Sequence, residues 1–177
     1  ATDTSVVVTG LAANFSYDAY ITTDCGTDGL SSLSSAFSFT TLCDVFIAPY
    51  LENFEAFDIS TNFVSDECWD EISPTLYDWE VDSNGTDSTG TGPNGPFSGS
   101  RYLVVDASDG ANGDIATLES PFVDLSALTV PTLSFYYHMY GAFVTQLDIE
   151  VSADGINYTN EFSIVGEQQT ASTDPWL

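Results

Sequence analysis

The sequence predicts an all-β fold, an antiparallel β-sandwich, and three observations carry that prediction. Apolar and polar residues alternate with a period of two: Tyr17, Ala19 and Ile21 against Asp18, Tyr20 and Thr22, and Leu147, Ile149 and Val151 against Asp148, Glu150 and Ser152. Helical spacing is nowhere sustained. Clusters of Gly, Asn, Asp, Ser and Pro separate the alternating runs, and this turn chemistry recurs at the spacing of sandwiches and jelly rolls.

In chain order the expected strands are residues 5–9, 17–22, 36–40, 101–105, 115–118, 133–140 and 147–152. Residues 133–140 are apolar on both faces, as a central buried strand is. Residues 82–100, DSNGTDSTGTGPNGPFSGS, are too polar and glycine-rich to be buried and read as a long surface loop. VSADGINYT at 151–159 reads as a hairpin turning at Asp154-Gly155.

A chain of 177 residues with 43% hydrophobic and 14% aromatic residues can bury at least one substantial core, in one large domain or two modest ones. Its charge is one-sided: 27 Asp and Glu face Arg101 and no lysine, a formal net charge of −26. A single basic residue cannot neutralise a row of phosphates or dock on an anionic membrane surface by electrostatics, so nucleic acid and lipid headgroups are poor candidates as partners. Much of the charge serves as a solubility coat, and the mutual repulsion should ease with salt or a bound divalent ion. No apolar run is long enough to cross a bilayer. The opening ATDTSVVV is neither basic nor a signal peptide, and it is read as internal to a longer exported polypeptide.

The first 43 residues, with SVVVTGL, FSYDAYITTDC and AFSFTT as successive strands, resemble the last three strands of a fibronectin type III domain. Leu11 followed by Tyr17 resembles that fold's tyrosine corner, in which the phenol bonds back to the upstream backbone while its ring fills the core. Further along come LENFEAF (51–57), CW (68–69), YDWE (77–80), TGPNG (91–95), RYLVVDAS (101–108), LESPFVDLS (118–126) and LSFYYHMYG (133–141). Their order and spacing resemble the MAM domains of meprins, neuropilins and receptor tyrosine phosphatases, which also occur in bacterial secreted proteins. The resemblance implies a partial immunoglobulin-like sandwich over residues 1–44, then a jelly-roll-like MAM sandwich over 45–177 whose pattern continues past Trp176. No cysteine stands beside LENFE, and Phe122 occupies a position where bacterial members often carry the cysteine that pairs with the one in CW. The resemblance therefore gives Cys68 no disulfide partner.

Cys25 and Cys43 flank the last fibronectin-like strand, and a bridge between them would close a loop of about 18 residues, worth roughly 3 kcal/mol. Two buried free thiols, or a Cys43–Cys68 pair, are the alternatives. The same family comparison implies a structural calcium or sodium ion near the start of the MAM domain, mapped to Glu55 in NFE and Asp106 in YLVVDAS, with Glu52 as an addition. Composition agrees in offering calcium its preferred oxygen ligands in two acidic loops: Asp82, Asn84 and Asp87, then Asp106, Asp109, Asn112 and Asp114.

His138, the single histidine, lies on an expected buried strand with no evident nucleophile, and reads as core. Paired carboxylates could serve glycoside hydrolysis, but 27 acids make such pairs uninformative. Trp69 and Trp79 read as core aromatics. Asn14, Asn84 and Asn157 head glycosylation sequons, meaningful only in a eukaryotic secretory setting.

The expectation is a non-catalytic, extracellular adhesion or spacer module of a large multidomain surface protein. Its domain pairing and lack of lysine resemble adhesins of aquatic bacteria exported by a type IX pathway. Its partners would be the other domains of its own chain, other surface proteins or glycans. The rival expectation is a carbohydrate-binding or targeting module of a secreted hydrolase or peptidase, which a row of exposed tryptophans or tyrosines would favour.

Overall fold

A computed structural model describes residues 5–59, 68–74, 77–107 and 110–177. The described residues are all-β, with short strands and a single 3-10 turn at Gly26–Asp28. The chain divides into two units: residues 1–48 with 121–127, and residues 49–120 with 128–177.

In the first unit, β1 (Ser16–Ala19) pairs antiparallel with β2 (Phe37–Thr40) in the register Tyr17 to Phe39. β3 (Phe46–Ile47) pairs in parallel with β8 (Val123–Asp124). Hydroxyls lengthen the first ladder. Thr41 Oγ1 accepts from the Phe15 N–H at 3.0 Å and donates to the Ala12 carbonyl at 2.6 Å. The Tyr17 hydroxyl accepts from the Ala12 N–H at 2.8 Å, the bond back to the upstream backbone that the Leu11–Tyr17 spacing suggests. Its ring is half exposed and leans on Phe15 and Phe39 at centroid distances of 5.0 and 5.9 Å, so it covers a ladder face and fills no core. No residue between 5 and 48 is buried.

In the second unit, β4 (Asp70–Glu71) pairs antiparallel with β7 (Leu118–Glu119), and β5 (Glu80–Asp82) with β6 (Tyr102–Val104). The intervening residues 83–101 are the glycine-rich loop expected from composition. β9 (Gln146–Ser152) and β10 (Tyr158–Val165) form the longest ladder, with a bulge between Asn160 and Phe162. Its turn is closed by Asp154, whose Oδ1 accepts from the N–H of Ile156 at 2.9 Å and of Asn157 at 2.8 Å, beside Gly155 at φ 68°. The core centres on Phe57 and Val81, packed by Phe54, Trp69, Trp79, Leu103 and Leu118.

Two expected strands are absent as such. Residues 5–9 join no ladder, and residues 133–140, expected as a central buried strand, join none either. An apolar run becomes a central strand only when a neighbour lies along each edge. Here Tyr137 alone makes a reciprocal rung, with Leu177, and much of the run stays exposed.

Candidate functional site

The acidic residues marked from sequence act as braces on the backbone. Glu55 reaches across to the loop before β6: its Oε1 accepts from the N–H of Ser100 at 2.7 Å and of Arg101 at 3.0 Å, and its Oε2 accepts from the Ser100 hydroxyl at 2.6 Å. The Ser100 hydroxyl and N–H, with help from Arg101, hold the Glu55 carboxyl below the usual range. Gly99 makes that approach possible twice over. Its φ is 68°, and a Cβ there would fall on the Glu55 carboxylate.

Glu52 turns back on its own segment. Oε1 accepts from the N–H of Asn53 at 2.9 Å and of Phe54 at 2.7 Å, while Oε2 accepts from the Tyr50 hydroxyl at 3.1 Å. Trp69 Nε1 in turn donates to that hydroxyl at 3.1 Å. The chain of bonds pins Phe54, a non-glycine residue at φ 62°, so that its ring meets Phe57 and Trp69 edge-on at 5.4 and 5.6 Å.

Asp106 accepts from the Ser88 hydroxyl at 3.1 Å. Asp82 accepts from the N–H of Asn84 at 3.0 Å, and Asp114 from that of Ala111 at 2.8 Å, so both acidic loops close on themselves. Asp109 lies outside the described residues.

Glu52, Glu55 and Asp106 therefore do not converge, and among the described residues no three His, Cys, Asp or Glu side chains gather as a metal site. The surroundings are also wrong for a hard cation. Calcium requires six to eight oxygen ligands, whereas Glu55 and Glu52 face N–H groups whose positive ends would oppose it. As arranged, these three residues do not fit the ion.

The cysteines also depart from expectation. Cys25 is a free, exposed thiol, and Cys43 and Cys68 are the disulfide-bonded residues, so the Cys25–Cys43 bridge is not formed. Sequence spacing measured only the length of the loop each pair would close. Which thiols meet is fixed by Cα separation and Cβ direction, and these are tertiary quantities.

Sequence reasoning missed a further brace. Glu71 accepts from the N–H of Trp79 and of Ser73, each at 2.7 Å, and from the Ser73 hydroxyl; Ser73 Oγ accepts from the Thr117 N–H at 2.7 Å. The acid-x-Ser spacing on an edge strand was its only trace.

The TGPNG loop, residues 133–141 and residues 168–177 come together in the second unit. The Gly92 N–H donates to the Tyr140 carbonyl at 3.1 Å and the Asn94 N–H to the Ser172 carbonyl at 2.9 Å. A methyl at Gly92 would come within 2.6 Å of His138 Cε1 and 2.9 Å of Ser172 Cα. Behind this glycine Trp176 meets His138 and Tyr102 edge-on, both at 5.8 Å, and Phe97 stacks on Tyr136 at 3.6 Å. Both His138 ring nitrogens are shielded from water without a hydrogen-bond partner in good geometry. Desolvation pulls its pKa below the ordinary value, outweighing the main chain and charge of Asp174 and the main chain of Ala171, which favour protonation.

The MAM domain model, meprin/A5/mu, matches residues 57–176. The chain belongs to the MAM family. MAM domains are β-sandwiches, generally non-catalytic, that serve as adhesion-type modules of multidomain extracellular or surface proteins and mediate protein interactions. No solved structure matches the chain. No helix among the described residues is long and apolar enough to cross a membrane. Within the MAM region the matched span contains the core, the Glu71 brace, His138 and the wall of aromatic rings. The main-chain donors that Glu55 holds lie inside it, while Glu52 and Glu55 themselves stand just before it. Asn14, Asn84 and Asn157 are all exposed.

Proposed function

We propose that this chain is a non-catalytic contact and spacer module of a large bacterial cell-surface or secreted protein, with a fibronectin-like segment leading into the MAM domain. The observation that carries the reading is the use of the carboxylates. Glu52, Glu55 and Glu71 each accept at least two main-chain N–H groups, which ties the loops that carry them. The Ala12–Tyr17 bond supports the fibronectin-like reading of the first segment. Extracellular placement fits a chain of net charge −26 that carries a disulfide.

One observation favours the glycan-binding rival: the stacked Phe97–Tyr136 pair is exposed. Against it, each indole N–H is spent inside the fold, Trp69 on Tyr50, Trp79 on Ala116 and Trp176 on Gly95. A glycan array run beside adhesion of coated beads to protein-coated and deglycosylated surfaces separates the two. The spacer reading expects protein-dependent adhesion and a blank array. Saccharide binding abolished by Tyr136→Ala would replace it with the rival.

A further inference from the structure

Arg101 is the one residue of the 177 at which a protease selecting basic side chains can cut, since the chain holds no lysine. The bond at risk is the peptide between Arg101 and Tyr102, and the fold treats its two sides differently. Upstream, Ser98, Gly99 and Ser100 are exposed and end the glycine-rich loop, the kind of small, polar segment that proteases nick. Downstream, Tyr102 is 4% exposed, pairs with Asp82 at the end of the β5–β6 ladder, and donates its hydroxyl to the Asn84 carbonyl at 2.8 Å.

An arginine-directed endoprotease seats the side chain in an acidic pocket and needs the main chain on both sides of the bond within its cleft. Here the main chain before the bond is already engaged. Glu55 accepts from the N–H of Ser100 and of Arg101 and from the Ser100 hydroxyl. Gly99, at φ 68°, turns the loop out of the extended conformation at the same place. The Arg101 side chain itself is only half-buried, so the bond is hidden through its backbone and not through its guanidinium. The two locks differ in strength. The Glu55 bonds to Ser100 lie at the surface, where water can replace them, whereas Tyr102 is enclosed, so local opening begins at Glu55.

We propose that the Arg101–Tyr102 bond is a gated cleavage site for an arginine-directed endoprotease, and that the clasp of Glu55 on Ser100 and Arg101 is its gate. In the reaction water adds across the amide, which leaves a carboxylate on Arg101 and an ammonium on Tyr102. The cut falls between β5 and β6, whose Val81–Leu103 rung is part of the core around Phe57. A nick at this one bond therefore reaches the interior of the second unit, and the clasp protects it. The gate is independent of the contact-module reading.

The test incubates the whole chain with trypsin under native conditions and follows fragments 1–101 and 102–177 by mass spectrometry. The wild-type chain should be cut at least about a hundredfold more slowly than the free peptide FSGSRYLVV, residues 97–105. Glu55→Ala should be cut at least about tenfold faster than wild type, with Glu55→Gln between the two. Ile164→Val, at a buried position on β10, is the reference for global unfolding and should stay within about twofold of wild type. If Glu55→Ala loses its native tryptophan fluorescence, Glu55→Gln carries the comparison. A wild-type chain cut as fast as the peptide would overturn the proposal, because the bond would then have no gate. So would Glu55 variants cut no faster than wild type, or an Ile164→Val chain accelerated as much as they are, which would place the opening in global unfolding.

Discussion

The two units use the same residue types and reach different ends. In the first, Phe15, Tyr17, Phe37 and Phe39 pair ring to ring on one ladder, yet Phe37 stays 70% exposed. In the second, Phe57 is fully enclosed. A two-stranded ladder has two faces and nothing to press against either, so aromatic pairs alone cannot make an interior. Phe57 has a second layer because Glu52 and Glu71 tie loops carrying Phe54, Trp69 and Trp79 against it.

The sharpest test of the contrast is truncation of one aromatic in each unit. Phe57→Ala should cost about 3–5 kcal/mol in urea unfolding, because it empties an enclosed site, and Phe37→Ala within about 1 kcal/mol. Equal losses would mean that the first unit hides a core.

Reduction of the disulfide, or Cys68→Ser, should cost about 2–5 kcal/mol, while Cys25→Ser leaves the midpoint in place. A Cys25–Cys43 peptide in a non-reducing digest would reverse that assignment. Next comes glycine chemistry. Gly10→Ala in the first unit meets open space at φ 78° and pays only for the left-handed backbone, about 1 kcal/mol. Gly99→Ala adds a collision with Glu55 and should cost more than that.

The pH dependence is smaller and separable by window. His138 has a folded pKa below its unfolded value near 6.5, so the unfolded chain binds more protons and stability falls as pH drops from about 7 through 6. Relief of acidic repulsion acts the other way but equally on a His138→Phe variant, so the difference between the two proteins isolates the imidazole. Glu55 and Asp174, lowered by hydrogen bonds, keep their contributions until pH falls below about 4.5. Smallest of all is the effect of calcium. At fixed ionic strength, calcium and chelator should give the same thermal midpoint; a calcium-specific rise that Glu55→Gln abolishes would restore Glu55 as a ligand.

Much of the fold was legible because strand pattern and turn chemistry are local. The alternation over 147–152, the Asp154-Gly155 turn and the loop before Arg101 all stand where the residues put them. The site was legible only in its parts. Glu52 and Glu55, marked from sequence as cation ligands, cap main-chain N–H groups here, and a carboxylate that binds a cation and one that caps N–H groups look the same in sequence. Residues 133–140 misled for a related reason: their apolarity on both faces states what the run can bury, and the neighbours are not encoded in it.

By itself the sequence determined the all-β class, the punctuation of the chain and the family, since each follows from local pattern. Only the tertiary structure decided which thiols are oxidised, which acids brace which loops, and that His138 sits dry behind Gly92. Those are matters of distance and direction between residues far apart in the chain, and a one-dimensional pattern carries neither.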